Sequence, residues 1–455
     1  MFLEKVKSEG LAHLSYMVGD GGLAAVIDPR RDVDVYLEIA TREGVRIAHV
    51  FETHRNEDYL IGSREIQDLT GAEIHHGANL DWGYGDKVSE GESFRIGSAR
   101  ISVLETPGHT FESISYALAD GNFGDEPIGV FTGDALFIGD VGRTDFFPNR
   151  AKEVAGLQYE SIFKKILPLG DDVLLYPAHG AGSVCGSHIA SREFSTLGYE
   201  RRHSQPLQKT DREAFIDMKL QEHHYYPPYF SQMEEWNQQG PAVLGHLPVP
   251  AAWSPEEFEQ AVEGGATAID LRSTEAYAGA CVPSTISLPL HMLNTFGGWY
   301  LPYGEPIALV VEEAAQVGTA VRYLVRMGYD RVAGYLAGGL HAWATSGREY
   351  QEVPVVHVDE LSRRIKAKDR FTLLDVRSRS EYERGHLPGA VNVYVGQLAE
   401  NLDEVPRDRP ITTFCGSGQR AMIAASILKR NGFEQVENCL GSMAACRAVG
   451  CPIVE

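Results

Sequence analysis

The chain has 455 residues, 43% hydrophobic and 23% charged, a mixture that buries cores and, at about 150 residues per domain, makes about three domains. Lys and Arg total 41 against 63 Asp and Glu, a formal charge of −22, so phosphate backbones and anionic lipid are repelled; neither nucleic acid nor a membrane is an expected partner. No stretch approaches about 18 uninterrupted apolar residues, no apolar run follows Met1–Val6, and six cysteines are too few for a disulfide scaffold; the expectation is a cytoplasmic chain without signal peptide or membrane span.

Strand-like runs come early, at 24–28, 47–51 and 101–105, with a helix-like run over Val33–Glu43 between the first two. Two more strands are predicted at 129–132 and 173–176. Loops at strand ends can converge polar groups on a rigid frame. Four polar clusters sit just beyond these strands: Thr53-His54-Arg55-Asn56-Glu57-Asp58-Tyr59, Thr106-Pro107-Gly108-His109-Thr110, Phe131-Thr132-Gly133-Asp134 and Tyr176-Pro177-Ala178-His179-Gly180. Helix stoppers and aromatics over residues 222–250 predict a break, and Ser346-Gly347 followed by Pro354 predicts another, leaving pieces of about 240, 105 and 100 residues.

The last two pieces are an internal duplication. A shift of 105 places Asp270-Leu271-Arg272-Ser273 on Asp375-Val376-Arg377-Ser378, Tyr277 on Tyr382 and Pro283 on Pro388. The shift becomes 104 at Pro306-Ile307 against Pro410-Ile411, and 103 at Gly338 against Gly441. Each copy alternates strand and helix, which predicts a parallel α/β sheet.

The four N-terminal clusters, in that order, resemble the metallo-β-lactamase superfamily over roughly residues 1–200. The two-metal hydrolases of that superfamily read His-x-His-x-Asp-His in the first cluster; here Asn56 and Tyr59 replace the second and last imidazoles, so two tightly held zinc ions are not expected. What survives is His54, His109 and Asp134. Two imidazoles and one carboxylate leave up to three positions open on an octahedral ion, a pattern suited to non-haem Fe(II) working with O2. The persulfide dioxygenase branch uses these three positions, so the resemblance implies one Fe(II) per chain, O2 as co-substrate, and oxidation of a low-molecular-weight thiol persulfide (glutathione, coenzyme A or similar) to sulfite and thiol. Asp58 and His179, without their hydrolase partners, are expected to orient the ligands or hold water. The Gly142-Arg143-Thr144-Asp145 run is typical of persulfide dioxygenases and glyoxalase II relatives. Arg143 either clamps a substrate carboxylate or phosphate, or pairs with Asp145 and braces the loop.

In the last piece, Phe414-Cys415-Gly416-Ser417-Gly418-Gln419-Arg420 follows an apolar strand and opens a helix. Successive backbone N–H groups and the positive helix end favour a thiolate or a sulfur-bound anion. With Asp375-Val376-Arg377 and Gly385-His386-Leu387-Pro388, this resembles the rhodanese sulfurtransferases. The resemblance makes Cys415 the persulfide carrier, Arg420 its charged partner, and Gly416, Ser417, Gly418 and Gln419 the cradle; phosphate-ester hydrolysis is the alternative for such loops. The middle piece resembles rhodanese without its chemistry, because Val311 replaces the cysteine and Glu312-Glu313 would repel anions. Cys281 aligns with His386, and Cys446 with Trp343, which looks like a packing position; a disulfide or relay between Cys415 and one of Cys439, Cys446 and Cys451 is open.

The expected architecture is therefore α/β and multidomain: a metallo-β-lactamase αββα sandwich over 1–240, an inactive rhodanese-like domain over 246–350 and an active one over 356–455, both with parallel sheets. The order resembles persulfide dioxygenase–sulfurtransferase fusion proteins, which implies sulfide detoxification with sulfite passed on to thiosulfate at Cys415. A homo-oligomer is expected. Two other readings stay open: a mononuclear zinc thioester hydrolase fused to a sulfurtransferase, and a sulfurtransferase whose first domain is a dead scaffold.

Overall fold

Period-two alternation builds the first sheet: in the strand His13–Asp20, Tyr16 and Val18 enter one core while Met17 enters another. The computed structural model describes residues 1–186 and 188–454 and divides them into two compact units, Met1–Leu247 with Val325–Gly328, and Pro248–Leu324 with Tyr329–Glu455.

In the first unit, β1 (Phe2–Ser8), β2 (His13–Asp20), β3 (Leu23–Ile27), β4 (Arg46–Phe51), β5 (Glu73–Gly77) and β6 (Asp86–Val88) form one sheet in that order. The pairs β1–β2 and β2–β3 are antiparallel; from β3 onward the pairing is parallel. A second sheet has the order β11-β10-β9-β8-β7, from β7 (Ser93–Ile96), β8 (Ala99–Glu105), β9 (Ile114–Asp120), β10 (Pro127–Gly133) and β11 (Leu174–Pro177). The two sheets share a core in which Val18, Ile27 and Phe51 meet Ile101, Tyr116 and Phe131. The outer face of the first sheet packs on the helices Asp34–Glu43 and Ser63–Thr70 through Tyr36, Ile39 and Ile66. The outer face of the second packs on Ala151–Ser161 and its continuation through Ile162 and Ile166, and on Arg212–Leu220 through Phe215. The result is the expected αββα sandwich.

The stretch predicted as a break holds a helix, Tyr229–Gln239. Its prolines do not interrupt it: Pro228 sits at its start, where a missing N–H costs nothing, and Gly240 ends it at a φ of 92°. That helix positions the site below.

In the second unit, β12 (Ala251–Trp253), β13 (Thr267–Asp270), β14 (Ile286–Ser287), β15 (Ile307–Val310) and β16 (Val332–Leu336) form a parallel sheet in the order β12-β16-β15-β13-β14. The strands β17 (Val355–Val356), β18 (Thr372–Asp375), β19 (Val391–Asn392), β20 (Ile411–Phe414) and β21 (Val436–Cys439) repeat it as β17-β21-β20-β18-β19. The duplication thus extends to topology. Buried Asp270–Arg272 and Asp375–Arg377 pairs, both at 2.6 Å, brace equivalent turns. The repeats also dock on each other: the edge-strand Ser287 N–H donates to Ser426 Oγ (3.0 Å) on the helix Gln419–Arg430, which covers an otherwise open sheet edge. Among the described residues no helix is long and apolar enough to cross a membrane.

Candidate metal centre and cysteine loop

The four predicted clusters follow β4, β8, β10 and β11, and the sandwich brings their side chains to one place. The His54 imidazole is fixed from behind. Thr53 donates through its N–H and Oγ1 to the two oxygens of Asp28, both at 2.8 Å, and Thr53 Oγ1 lies 2.9 Å from His54 Nδ1. With Asp28 ionised, the hydroxyl proton is used on Asp28 and His54 Nδ1–H donates to Thr53, which leaves Nε2 bare. His109 is set in the same way: Nδ1 donates to the Arg143 carbonyl at 3.0 Å. Asp134 Oδ1 accepts from His179 Nδ1 at 2.7 Å. The atoms left over face one another. Asp134 Oδ2 is 3.9 Å from His54 Nε2 and 3.6 Å from His109 Nε2.

His54 Nε2 and Asp134 Oδ2 are buried without a hydrogen-bond partner. Such groups are costly unless something else satisfies them. A cation coordinated by both, and by His109 Nε2, does so, and the donor set is of the right chemistry. His54, His109 and Asp134 therefore fit one metal ion. Burial holds the His54 imidazole down at about 4. Burial also works against a charged His109, but the Glu57 and Asp134 carboxylates push it up to about 9, so the cluster stores a proton where a metal would displace it.

Asn56 and Tyr59 have other neighbours. Asn56 Nδ2 donates to the His54 carbonyl at 3.2 Å, and the Tyr59 ring packs on His13 with centroids 4.0 Å apart. Asp58 lies on the far side of His179, 3.0 Å from its Nε2, so the two form a line, Asp58–His179–Asp134, behind the Asp134 carboxylate. A cavity of about 390 Å3 lined by Ser8, His13, Leu14 and Gly180 also reaches His179. Arg143 is only 1% exposed and pairs with Asp145 through two hydrogen bonds of 2.6 and 2.7 Å, while its third arm meets the Tyr225 carbonyl at 3.2 Å. That is the geometry of the loop brace, with no arm turned to a substrate. Two buried residues not singled out from sequence join the cluster. Glu57 lies 3.3 Å from His109 Nε2, and Cys185 Sγ donates to Glu57 Oε1 at 3.2 Å. The run Asn56-Glu57-Asp58 was the available signal for Glu57; for Cys185 there was none.

In the last repeat Cys415 follows β20 and is buried. The Gly418 N–H donates to its sulfur at 3.1 Å, and Ser442 Oγ accepts from the Cys415 N–H at 3.1 Å. Gly418 has a φ of 101°, and a Cβ there would lie 3.1–3.2 Å from the backbone of 439–441, so the turn that aims this N–H requires glycine. Ser417 takes part through its carbonyl, which accepts from Gly441 N–H at 3.0 Å, while Gln419 opens the helix. Arg420 spans to Glu381 with two bonds of 2.7 and 2.8 Å. Gly416 allows this, since a Cβ there would stand 3.3 Å from the guanidinium. Glu381 was not singled out from sequence, although its capping box with Ser378 is readable there.

Burial raises the Glu381 carboxyl, but Arg420 and the Ser378 N–H together hold it down at about 2. A depressed folded value means stabilisation present above the ordinary 4.5 and lost as pH falls from there toward 2. Glu381→Gln is accordingly expected to flatten the acid limb of a denaturation-versus-pH profile between those values. An unchanged limb would show that the pair adds nothing.

The middle repeat fills its own cradle: Gln316 Oε1 accepts from the N–H groups of both Glu312 and Glu313 at 3.1 Å. Val311 is buried at the cysteine position. Cys281 and His386 occupy equivalent bridges, to Gln351 and Val454. Trp343 and Cys446 are each buried in the core of their own repeat. All six cysteines are free and buried, so no disulfide joins Cys415 to its neighbours.

The crystal structure of a metallo-β-lactamase from Staphylococcus aureus subsp. aureus COL superimposes with a TM-score of 0.67 at 32% identity, over 74% of this chain and 99% of that one. A family model for the rhodanese-like domain matches residues 254–346 and 357–448. The chain belongs to the metallo-β-lactamase-fold proteins and carries two rhodanese-like domains. The metallo-β-lactamase-fold region is 32% identical over 173 residues to Persulfide dioxygenase ETHE1, mitochondrial, of Homo sapiens, covering 36% of this chain and 63% of that protein. It is 34% identical over 165 residues to a hydroxyacylglutathione hydrolase of Rhodospirillum rubrum, covering 35% and 57%. The chain thus spans under two thirds of either curated relative.

Proposed function

We propose that this protein is a non-haem Fe(II) persulfide dioxygenase coupled to a rhodanese sulfurtransferase. The observation that carries the reading is the convergence of His54 Nε2, His109 Nε2 and Asp134 Oδ2, two of them without any other partner, in a region similar to a persulfide dioxygenase. His54, His109 and Asp134 would hold Fe(II), which would supply the redox chemistry between O2 and the terminal persulfide sulfur. The net reaction balances as persulfide, O2 and water giving thiol, sulfite and two protons. The protein's part is orientation: Thr53 and the Arg143 carbonyl set the two imidazoles, and His179 sets the Asp134 carboxylate.

At the second site, Cys415 takes the sulfane sulfur of another persulfide and releases its thiol. Sulfite then attacks that outer sulfur, the S–S bond to Cys415 breaks, and thiosulfate leaves with the Cys415 thiol restored. The Gly418 N–H stabilises the sulfur anion on each side of this exchange. Holding both sites on one chain raises the concentration of sulfite seen by Cys415.

The similarity to a hydroxyacylglutathione hydrolase favours a second reading, thioester hydrolysis at one zinc. Metal analysis with gas uptake separates the two. The dioxygenase is expected to hold about one iron per chain and to consume O2 only when given a persulfide, with sulfite as product. Zinc-loaded protein that cleaves thioesters and takes up no O2 would overturn this in favour of the hydrolase.

A further inference from the structure

We propose that Glu57 is a fourth protein ligand of the ion held by His54, His109 and Asp134, in place of the imidazole lost at Asn56. This rests on the metal reading above and goes beyond its three ligands. Glu57 is buried, and its Oε2 lies 3.4 Å from His109 Nε2 and 4.0 Å from His54 Nε2. Those separations match the ones Asp134 Oδ2 makes to the same two nitrogens, 3.6 and 3.9 Å. Donors bound at about 2.0–2.2 Å to one ion lie at most about 4.4 Å apart, and all four separations fall within that limit. Both Nε2 atoms face this point, because each Nδ1 is engaged elsewhere.

The loop that carries Glu57 is held for this. Asn237, on the helix Tyr229–Gln239, donates to the carbonyls of Asn56 (2.7 Å) and Tyr59 (2.8 Å) and accepts from the Ile61 N–H (3.0 Å). Tyr229 OH donates to the Asp58 carbonyl at 3.1 Å. Arg55 is drawn out to Glu234 at 3.2 Å while Glu57 turns inward. Glu57 has no Lys or Arg beside it in any ion pair found among the described residues; its neighbours are His109, His54 and the Cys185 thiol. Without a metal, the charge that compensates Glu57 is the His109 imidazole 3.3 Å away, and a bound cation would take that place. Two carboxylates would balance the charge of a divalent ion held here.

The test uses the full iron-loaded chain, with Glu57→Gln and Glu57→His beside the wild type. Iron affinity is measured by competition with a chelator, and the protein ligands are identified in a crystal structure of the iron-loaded chain. Glu57→Gln is expected to lose at least about 10–100-fold in affinity and its side-chain bond to the iron. Glu57→His is expected to recover most of the affinity with a nitrogen in that place. Unfolding midpoints taken with excess chelator show whether each variant folds without metal. If Glu57→Gln does not fold, the wild-type crystal structure decides: two carboxylates and two imidazoles on the iron are expected, and a single carboxylate overturns the proposal. Wild type that binds iron, with Glu57→Gln unchanged in affinity, also overturns it and leaves the dioxygenase reading standing. Wild type that holds no iron sinks that reading first.

Discussion

His54→Ala is expected to empty the chain of iron and, with it, to abolish persulfide-dependent O2 uptake, while sulfur transfer at Cys415 continues. The imidazole is one of few neutral donors at the site and is held by a relay from Asp28 through Thr53 to Nδ1. Loss of an outer partner of a ligand costs about 10–100-fold in metal affinity, and loss of the ligand itself costs more. The truncation also leaves Asp134 Oδ2 facing a gap where it now has His54 Nε2 at 3.9 Å. Iron content and oxygen electrode traces check this directly. Uptake at the wild-type rate would mean that the first unit is a scaffold, and the proposed oxidation would have to be abandoned.

Cys415→Ser has the second large effect. Thiosulfate formation should fall on the order of 10^3-fold or more, because a serine hydroxyl neither carries a sulfane sulfur nor releases it to sulfite. Iron content and O2 uptake should stay as in wild type, so sulfite accumulates. The Gly418 N–H that now meets sulfur at 3.1 Å would face a smaller hydroxyl oxygen that can still accept from it, so the loop should keep its shape. Product analysis of the two sulfur anions is the measurement. Thiosulfate at the normal rate would place the transfer elsewhere. A loss of both anions together would mean that persulfide reaches the iron only through Cys415.

Much of this was legible in the order of residues. Apolar alternation exposed most strands that end in functional loops, and the Pro-Gly-His, Thr-Gly-Asp and Pro-Ala-His clusters marked their ends. The duplication could be followed by shifting the chain along itself, and the missing cysteine at Val311 was plain. What could not be read was how the middle repeat closes its empty cradle, since that depends on the Gln316 amide turning back onto two N–H groups. The helix Tyr229–Gln239 was also hidden, because its flanking prolines and aromatics look like a linker until Asn237 is seen against the Asn56–Ile61 backbone.

The repeat shift marked the duplication, the motifs marked which imidazoles and which thiol stand at the ends of strands, and the resemblance those motifs carry implied the fold class and the two rhodanese-like copies. Those signals are local: each depends on neighbours within a few positions or on a constant shift along the chain. Only the tertiary structure decided that Arg143 is tied to Asp145, that Arg420 is tied to Glu381, and that Glu57 turns into the cluster while Asp58 stands behind His179. A charged side chain commits to its partner by distance and burial, and residues such as Arg420 and Glu381 come together only after the sheet has folded.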